Sequence, residues 1–314
     1  MILAPMQGLT EAMFRRVYER CFPGAISLAV SPFLSLTHNL SSARSGISRE
    51  VLEDILPEAN RGAMPVVPQI LGKEPDEFIA LCAALADLGY GEVNWNMGCP
   101  VRKVVGKRRG SGLLPHPDLV RSVLDAVVPA IGMRLSVKVR LGLKSTDELF
   151  ALIPVLNDYP LASVSIHPRL GRQQYTGQVD LETFGQALPL IKHPVIYNGD
   201  IVTGEGARRI RERFPQVADI MVGRGVLYNP TLPLDILQPS RDRAGDPQQV
   251  RHFIRSLIQE IRSTFPTEQA QLRKTKEYWC LLWKSLPITE LQAREVLRQE
   301  KLTDVDNLIA RLLQ

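Results

Sequence analysis

Val93-Asn94-Trp95-Asn96-Met97-Gly98-Cys99-Pro100 alternates apolar and polar side chains and then breaks into a Gly-Cys-Pro turn. Period-two alternation marks a strand, and Gly and Pro end it. The segment therefore presents a thiol where a strand exits. Seven further short runs of strand type lie at 2–6, 25–31, 66–71, 135–140, 163–167, 194–198 and 219–222. Helical periodicity fills most of the gaps, at 11–20, 75–88, 117–128, 147–156, 181–190 and 204–213. The stretch 33–65 breaks this rhythm, and its Ser/Arg-rich part reads as an extended loop. Strands alternating with helices argue for parallel βα units.

A doubly wound sheet and a (β/α)8 TIM barrel both accommodate that order. Two features favour the barrel. The strands number eight, and polar or special residues repeatedly close them: Met6-Gln7-Gly8, Gln69, Asn96, Lys138 to Arg140, His167, Asn198-Gly199-Asp200 and Gly223-Arg224. In a barrel such ends converge on one mouth, where active sites sit. A dinucleotide-binding sheet calls for Gly-x-Gly-x-x-Gly after an early strand, and none is present. Residues 1–228 are thus expected to form the barrel. A Pro- and Asp/Arg-rich linker is expected at 229–247, and helical periodicity at 252–264, 269–284, 288–299 and 304–313 predicts a small C-terminal α-helical domain over 248–314.

The chain has 314 residues, 45% hydrophobic and 23% charged, as expected of a water-soluble globular protein. No run of about 18 apolar residues suggests a transmembrane helix. The start, Met1-Ile2-Leu3-Ala4-Pro5-Met6, reads as a buried strand and lacks a signal-peptide pattern. Four scattered cysteines without Cys-x-x-Cys argue against a disulfide framework or a metal site and for a reducing cytoplasm. Cys82 and Cys280 lie in apolar helical patterns and read as buried structural thiols.

Cys99 is different, because a cationic loop follows it. Arg102, Lys103, Lys107, Arg108 and Arg109 fall within eight positions with no acid among them. The chain carries 38 Lys+Arg against 33 Asp+Glu, so this loop alone equals the formal excess of +5. Chemistry on a polyanion is implied. Lys138 shares its strand face with Ser136 and Arg140, a polar set that a dry barrel interior tolerates only if it binds something or pairs with acids. Gly223-Arg224-Gly225 follows the eighth strand, where barrels often hold a phosphate. His167, taken alone, reads more often as a hydrogen-bonded structural histidine; it gains weight from following an apolar strand and preceding Pro168-Arg169.

Together these motifs make the chain resemble the bacterial tRNA-dihydrouridine synthases, a flavin-dependent family. The resemblance is carried by Ala4-Pro5-Met6, Gln69 in Gln-Ile-Leu-Gly, Asn96-Met97-Gly98-Cys99-Pro100, Gly110-Ser111-Gly112-Leu113-Leu114, Lys138-Val139-Arg140, His167-Pro168-Arg169 with Tyr175-Thr176-Gly177, Asn198-Gly199-Asp200 and Gly223-Arg224-Gly225. Two departures stand out: Ser31-Pro32-Phe33 lacks the acid that many members carry before the aromatic, and Gly112 replaces a common alanine.

The resemblance implies that Pro5, Met6, Gln7, Gln69, Lys138, His167, Asn198, Gly199, Asp200, Gly223 and Arg224 hold FMN, which NADPH (or NADH) reduces. It implies hydride transfer to C6 of a tRNA uridine, with Cys99 giving a proton to C5. Asn96, Arg140 and Tyr175 are expected at the uracil, the cationic loop at tRNA phosphates, and Arg273, Lys274 and Lys276 at a second tRNA contact. A monomer is expected. The competing readings are an FMN barrel oxidoreductase for a free small molecule, such as a dihydropyrimidine, and a non-catalytic RNA-binding barrel.

Overall fold

The computed structural model describes residues 1–35, 52–238 and 246–314. Eight parallel strands close into a barrel in sequence order: β1 Ile2–Leu3, β2 Leu28–Leu34, β3 Val66–Ile70, β4 Glu92–Met97, β5 Arg134–Gly142, β6 Leu161–Leu170, β7 Val195–Tyr197 and β8 Asp219–Val222, with β8 pairing back to β1. The alternation in β4 sorts its side chains between two environments. Val93, Trp95 and Met97 are buried in the core that joins barrel and helices, while Asn94 and Asn96 share the inner face. Register sets Asn94 beside Ser136 and Asn96 beside Lys138, and on the next pair Arg140 beside His167.

The barrel interior has two levels. A small apolar plug of Ile2, Ala4, Val30, Ile196 and Met221 fills one part. Beside it, polar side chains satisfy one another: Gln69 Nε2 donates to Asn94 Oδ1 (2.8 Å) and Asn94 Nδ2 to Ser136 Oγ (3.0 Å). Paired in this way, amides and hydroxyls can be buried without the cost of unmet hydrogen bonds.

The structure differs from the sequence reading in three places. The stretch expected to be linker carries a helix at Leu232–Leu237, whose Leu232 and Ile236 are buried. Its remainder at 239–245, and residues 36–51 of the expected loop, lie outside the described residues. Cys280 is exposed, because its helix Glu268–Leu282 turns Tyr278, Trp279 and Leu282 inward instead. The C-terminal helices, finally, share the barrel's apolar core. Phe253, on helix Pro247–Thr264, packs edge-on to Phe14 (5.8 Å) and Tyr18 (5.8 Å) of the first barrel helix. No helix among the described residues is long and apolar enough to cross a membrane.

Candidate active site

The strand ends open into a cavity of about 620 Å³, within the usual size for cofactor sites. Every residue expected to hold the flavin lines it: Pro5, Met6, Gln7, Gln69, Lys138, His167, Asn198, Gly199, Asp200, Gly223 and Arg224. So do Asn96, Cys99, Arg140 and Tyr175.

Cys99 sits on a loop pinned from three directions. Asn96 Oδ1 accepts the N–H groups of Gly98 (3.0 Å) and Cys99 (2.9 Å), Arg140 Nε donates to the Gly98 carbonyl (2.8 Å), and Ser111 donates to the Cys99 carbonyl through both its N–H and its hydroxyl (3.0 Å each). Gly112 belongs to this tight packing: a Cβ there would stand 2.7 Å from the Val105 carbonyl. The substitution of a larger residue is closed by local crowding. Burial pushes the Cys99 thiol above its ordinary value, against a smaller pull from the Val101 N–H and the Arg140 guanidinium. The thiol therefore keeps its proton at neutral pH.

Two residues expected at the uracil are largely committed elsewhere. Asn96 Nδ2 donates to Gln69 Oε1 (2.7 Å), which leaves one amide hydrogen free for a ligand. Arg140 is buried, and besides Gly98 it bonds the carbonyls of Leu170 (3.1 Å) and Gln174 (2.7 Å). Asn96 positions the Cys99 loop by accepting its N–H groups, and Arg140 positions the Cys99 and Tyr175 loops by donating to their carbonyls. Tyr175 itself is 56% exposed at the mouth, with its ring between the guanidiniums of Arg140 (5.4 Å) and Arg224 (5.1 Å). That geometry suits a flat ligand ring.

The wall beside Asn96 is cationic. Desolvation, with the Arg140 charge adding to it, lowers the half-buried Lys138 to about 7, and no acid acts on it. An ammonium without an acid partner favours an anionic ligand. His167 is neutral, since burial and the neighbouring Lys138, Arg140, Arg169 and Arg224 push it far below its usual range. Arg169 Nη1 lies 3.1 Å from His167 Nε2. A guanidinium only donates, so Nε2 accepts and the ring proton belongs on Nδ1.

Asp200, on the cavity wall as expected, is bound by Arg169 through both terminal nitrogens and by Arg224 through one (3.3 Å), so its carboxylate orders these two cations. Arg169, from the His-Pro-Arg motif, is buried and also ties down the Thr176 and Gly177 carbonyls. Its place two residues beyond His167 on one strand face was the available signal. Pro32 and Phe33, from the departing second-strand motif, also line the cavity, and so do Tyr228 and Leu281, which no sequence motif announces.

Outside the cavity, Arg102, Lys103, Lys107 and Arg108 are exposed. Arg109 turns inward to Glu77 (3.4 Å). Arg273 is exposed and Lys276 half-buried, whereas Lys274 is 8% exposed and bonded inside the protein. Its helix docks against the barrel at that position, so it is removed from the surface expected to meet tRNA. No cluster of three or more potential metal ligands occurs among the described residues.

A family model described as dihydrouridine synthase matches residues 2–303. The tRNA-dihydrouridine(16) synthase of Pseudomonas putida is 28% identical over 320 residues, covering 98% of this chain and 95% of that protein. The tRNA-dihydrouridine synthase B of the same organism is 30% identical over 231 residues, 73% of this chain and 65% of that protein. Among solved structures, the old yellow enzyme homologue of Zymomonas mobilis superposes with a TM-score of 0.54 at 15% identity, covering 79% of this chain and 91% of that one. The old yellow enzyme of Trypanosoma cruzi gives 0.52 at 11%, covering 79% and 89%. At those identities the likeness shows the barrel fold alone.

Proposed function

This chain belongs to the dihydrouridine synthase family, and from that premise we propose that it reduces a uridine of tRNA to 5,6-dihydrouridine, with FMN as its flavin and NADPH as the reductant. The carrying observation is the Cys99 thiol, kept protonated by burial inside a cavity that Lys138, Arg140 and Arg224 also line. The residues present fit a flavin: Lys138 is a half-buried amine with no acid acting on it, and Arg224 brings a cation to the same cavity. Reduced flavin supplies a hydride for C6 of the uracil.

The chain's own residues do the rest. Cys99 holds the proton destined for C5 as a general acid. Asn96, Ser111 and Arg140 hold the loop that aims it. Tyr175 and the free Nδ2–H of Asn96 receive the base, which must be swung out of the RNA to enter a recessed mouth. Arg102, Lys103, Lys107 and Arg108 grip phosphates outside. Arg273 and Lys276 add a second contact from the helical segment.

Uridine 16 is the proposed target. Relatives named for that position match 98% of this chain, through the helical segment, whereas the B-type relative matches 73%. Cys99→Ala tests the assignment. It should bind FMN and accept electrons from NADPH normally, while dihydrouridine formation falls about 100-fold or more. Undiminished product from Cys99→Ala would remove the acid from this account.

A further inference from the structure

Lys274 lies on the helix Glu268–Leu282, yet it reaches into the barrel mouth. Its ammonium donates to the Gly8 carbonyl and meets the carboxylates of Glu11 (3.0 Å) and Glu277 (3.2 Å), with the ring of Tyr278 5.5 Å away. One turn on, the Tyr278 hydroxyl donates to the Leu9 carbonyl (2.7 Å). Gly8 has φ +78, and a Cβ there would collide with Glu277 Oε1. The chain thus bends in a conformation that favours glycine, so that its carbonyl meets the lysine.

These contacts hold the loop 6–10, which leaves β1 carrying Met6, Gln7 and Leu9 on the cavity wall. The loop's other ties are local: Thr10 Oγ1 donates to the Ala4 carbonyl (3.0 Å) and accepts from the Met6 N–H (2.8 Å). Two cations hold it: Arg15 of the first barrel helix donates to the Thr10 carbonyl (2.7 Å), and Lys274, from the helical segment, takes the Gly8 carbonyl at the bend. A tRNA phosphate could not reach that ammonium without displacing three oxygens.

We propose that Lys274 is a positioning residue for the flavin: it locks the β1 exit loop in the shape that forms one wall of the cofactor site, and so makes the helical segment part of that site. The proposal rests on the flavin reading of the cavity. A wall left loose binds its ligand less well and less rigidly, because the ligand must then order it.

The test uses the full-length protein, titrated with FMN and followed by flavin fluorescence and visible circular dichroism. Lys274→Met should raise the FMN dissociation constant about tenfold and weaken the dichroism of bound flavin, since the lost charged hydrogen bonds no longer order the loop. Lys274→Arg, which keeps the cation, should recover most of the dichroism. Tyr278→Phe removes a single hydroxyl and should shift both readings the same way by less. It carries the test if Lys274→Met does not fold. FMN affinity and dichroism within about twofold of wild type in these variants would overturn the proposal while leaving the flavin site intact. So would weakened tRNA binding with flavin binding unchanged, which would return Lys274 to an RNA role. A wild-type protein that does not bind FMN would overturn the proposal together with the reading beneath it.

Discussion

An acid at Cys99 is useful only while it keeps its proton, and the cations near the thiol bear on that directly. Among the described residues, Arg140 is the cation that acts on the sulfur, and burial outweighs it. The loop Arg102 to Arg108 leaves the thiol unactivated, so grip and chemistry are separated within ten residues. The pH dependence follows in sign. The acid form persists below the raised thiol value, so single-turnover product formation from pre-reduced enzyme should stay level between pH 7 and about 9 and fall only above that. A fall beginning near pH 7 would indicate a thiolate instead.

Lys138 titrates in the opposite sense. At about 7 it is half neutral in the free site at neutral pH. An anion bound beside it favours the charged form and raises its value again. FMN binding should therefore take up a proton at pH 8.5, seen by calorimetry as heat that depends on the buffer, and affinity should decline as pH rises from 7 to 10. Equal heats in buffers of different ionisation enthalpy would contradict this. Lys138 was legible in the sequence because alternation fixes which face a strand residue takes, and Cys99 because a Gly-Cys-Pro turn puts it at a strand's exit. The network of Arg169, His167 and Asp200 was not, since it joins the ends of different strands and depends on barrel closure.

The loop after β4 divides into two kinds of cation. Neutralising Arg102, Lys103, Lys107 and Arg108 to Gln should weaken tRNA binding and flatten its salt dependence by roughly 0.7–0.9 per lost phosphate contact, leaving flavin reduction by NADPH unchanged. An unaltered salt slope would mean the loop is merely solvated. Arg109 is excluded from that set, because it pairs with Glu77 across the neighbouring helix. Sequence counts all five as equal; only the packing of the helix Pro75–Asp87 distinguishes the fifth. The helix Glu268–Leu282 teaches the same point. Its pattern marks it as amphipathic, but which polar residues face the barrel is decided by docking. Lys274 goes inward and Cys280 outward for that reason. The helix Leu232–Leu237 escaped notice because its Pro-rich surroundings read as linker, although Pro233 sits at its start, where proline is tolerated.

At the scale of the molecule, the order of eight strands and their polar ends was enough to reach a closed barrel with its site at one mouth. What it could not convey is that the helical segment is continuous with the barrel core through Phe14, Tyr18 and Phe253 and touches the cavity through Leu281. Apolar periodicity says that a helix buries a face, not what it buries it against. That continuity gives the helical segment and the barrel mouth a shared frame. The most direct test is to take tRNA from cells lacking this protein, add the purified enzyme with FMN and NADPH, and map dihydrouridine by position. The account predicts new dihydrouridine at position 16, dependent on NADPH and on Cys99, with free uridine turned over negligibly. No dihydrouridine in the tRNA, or turnover of free uridine at an equal rate, would contradict it.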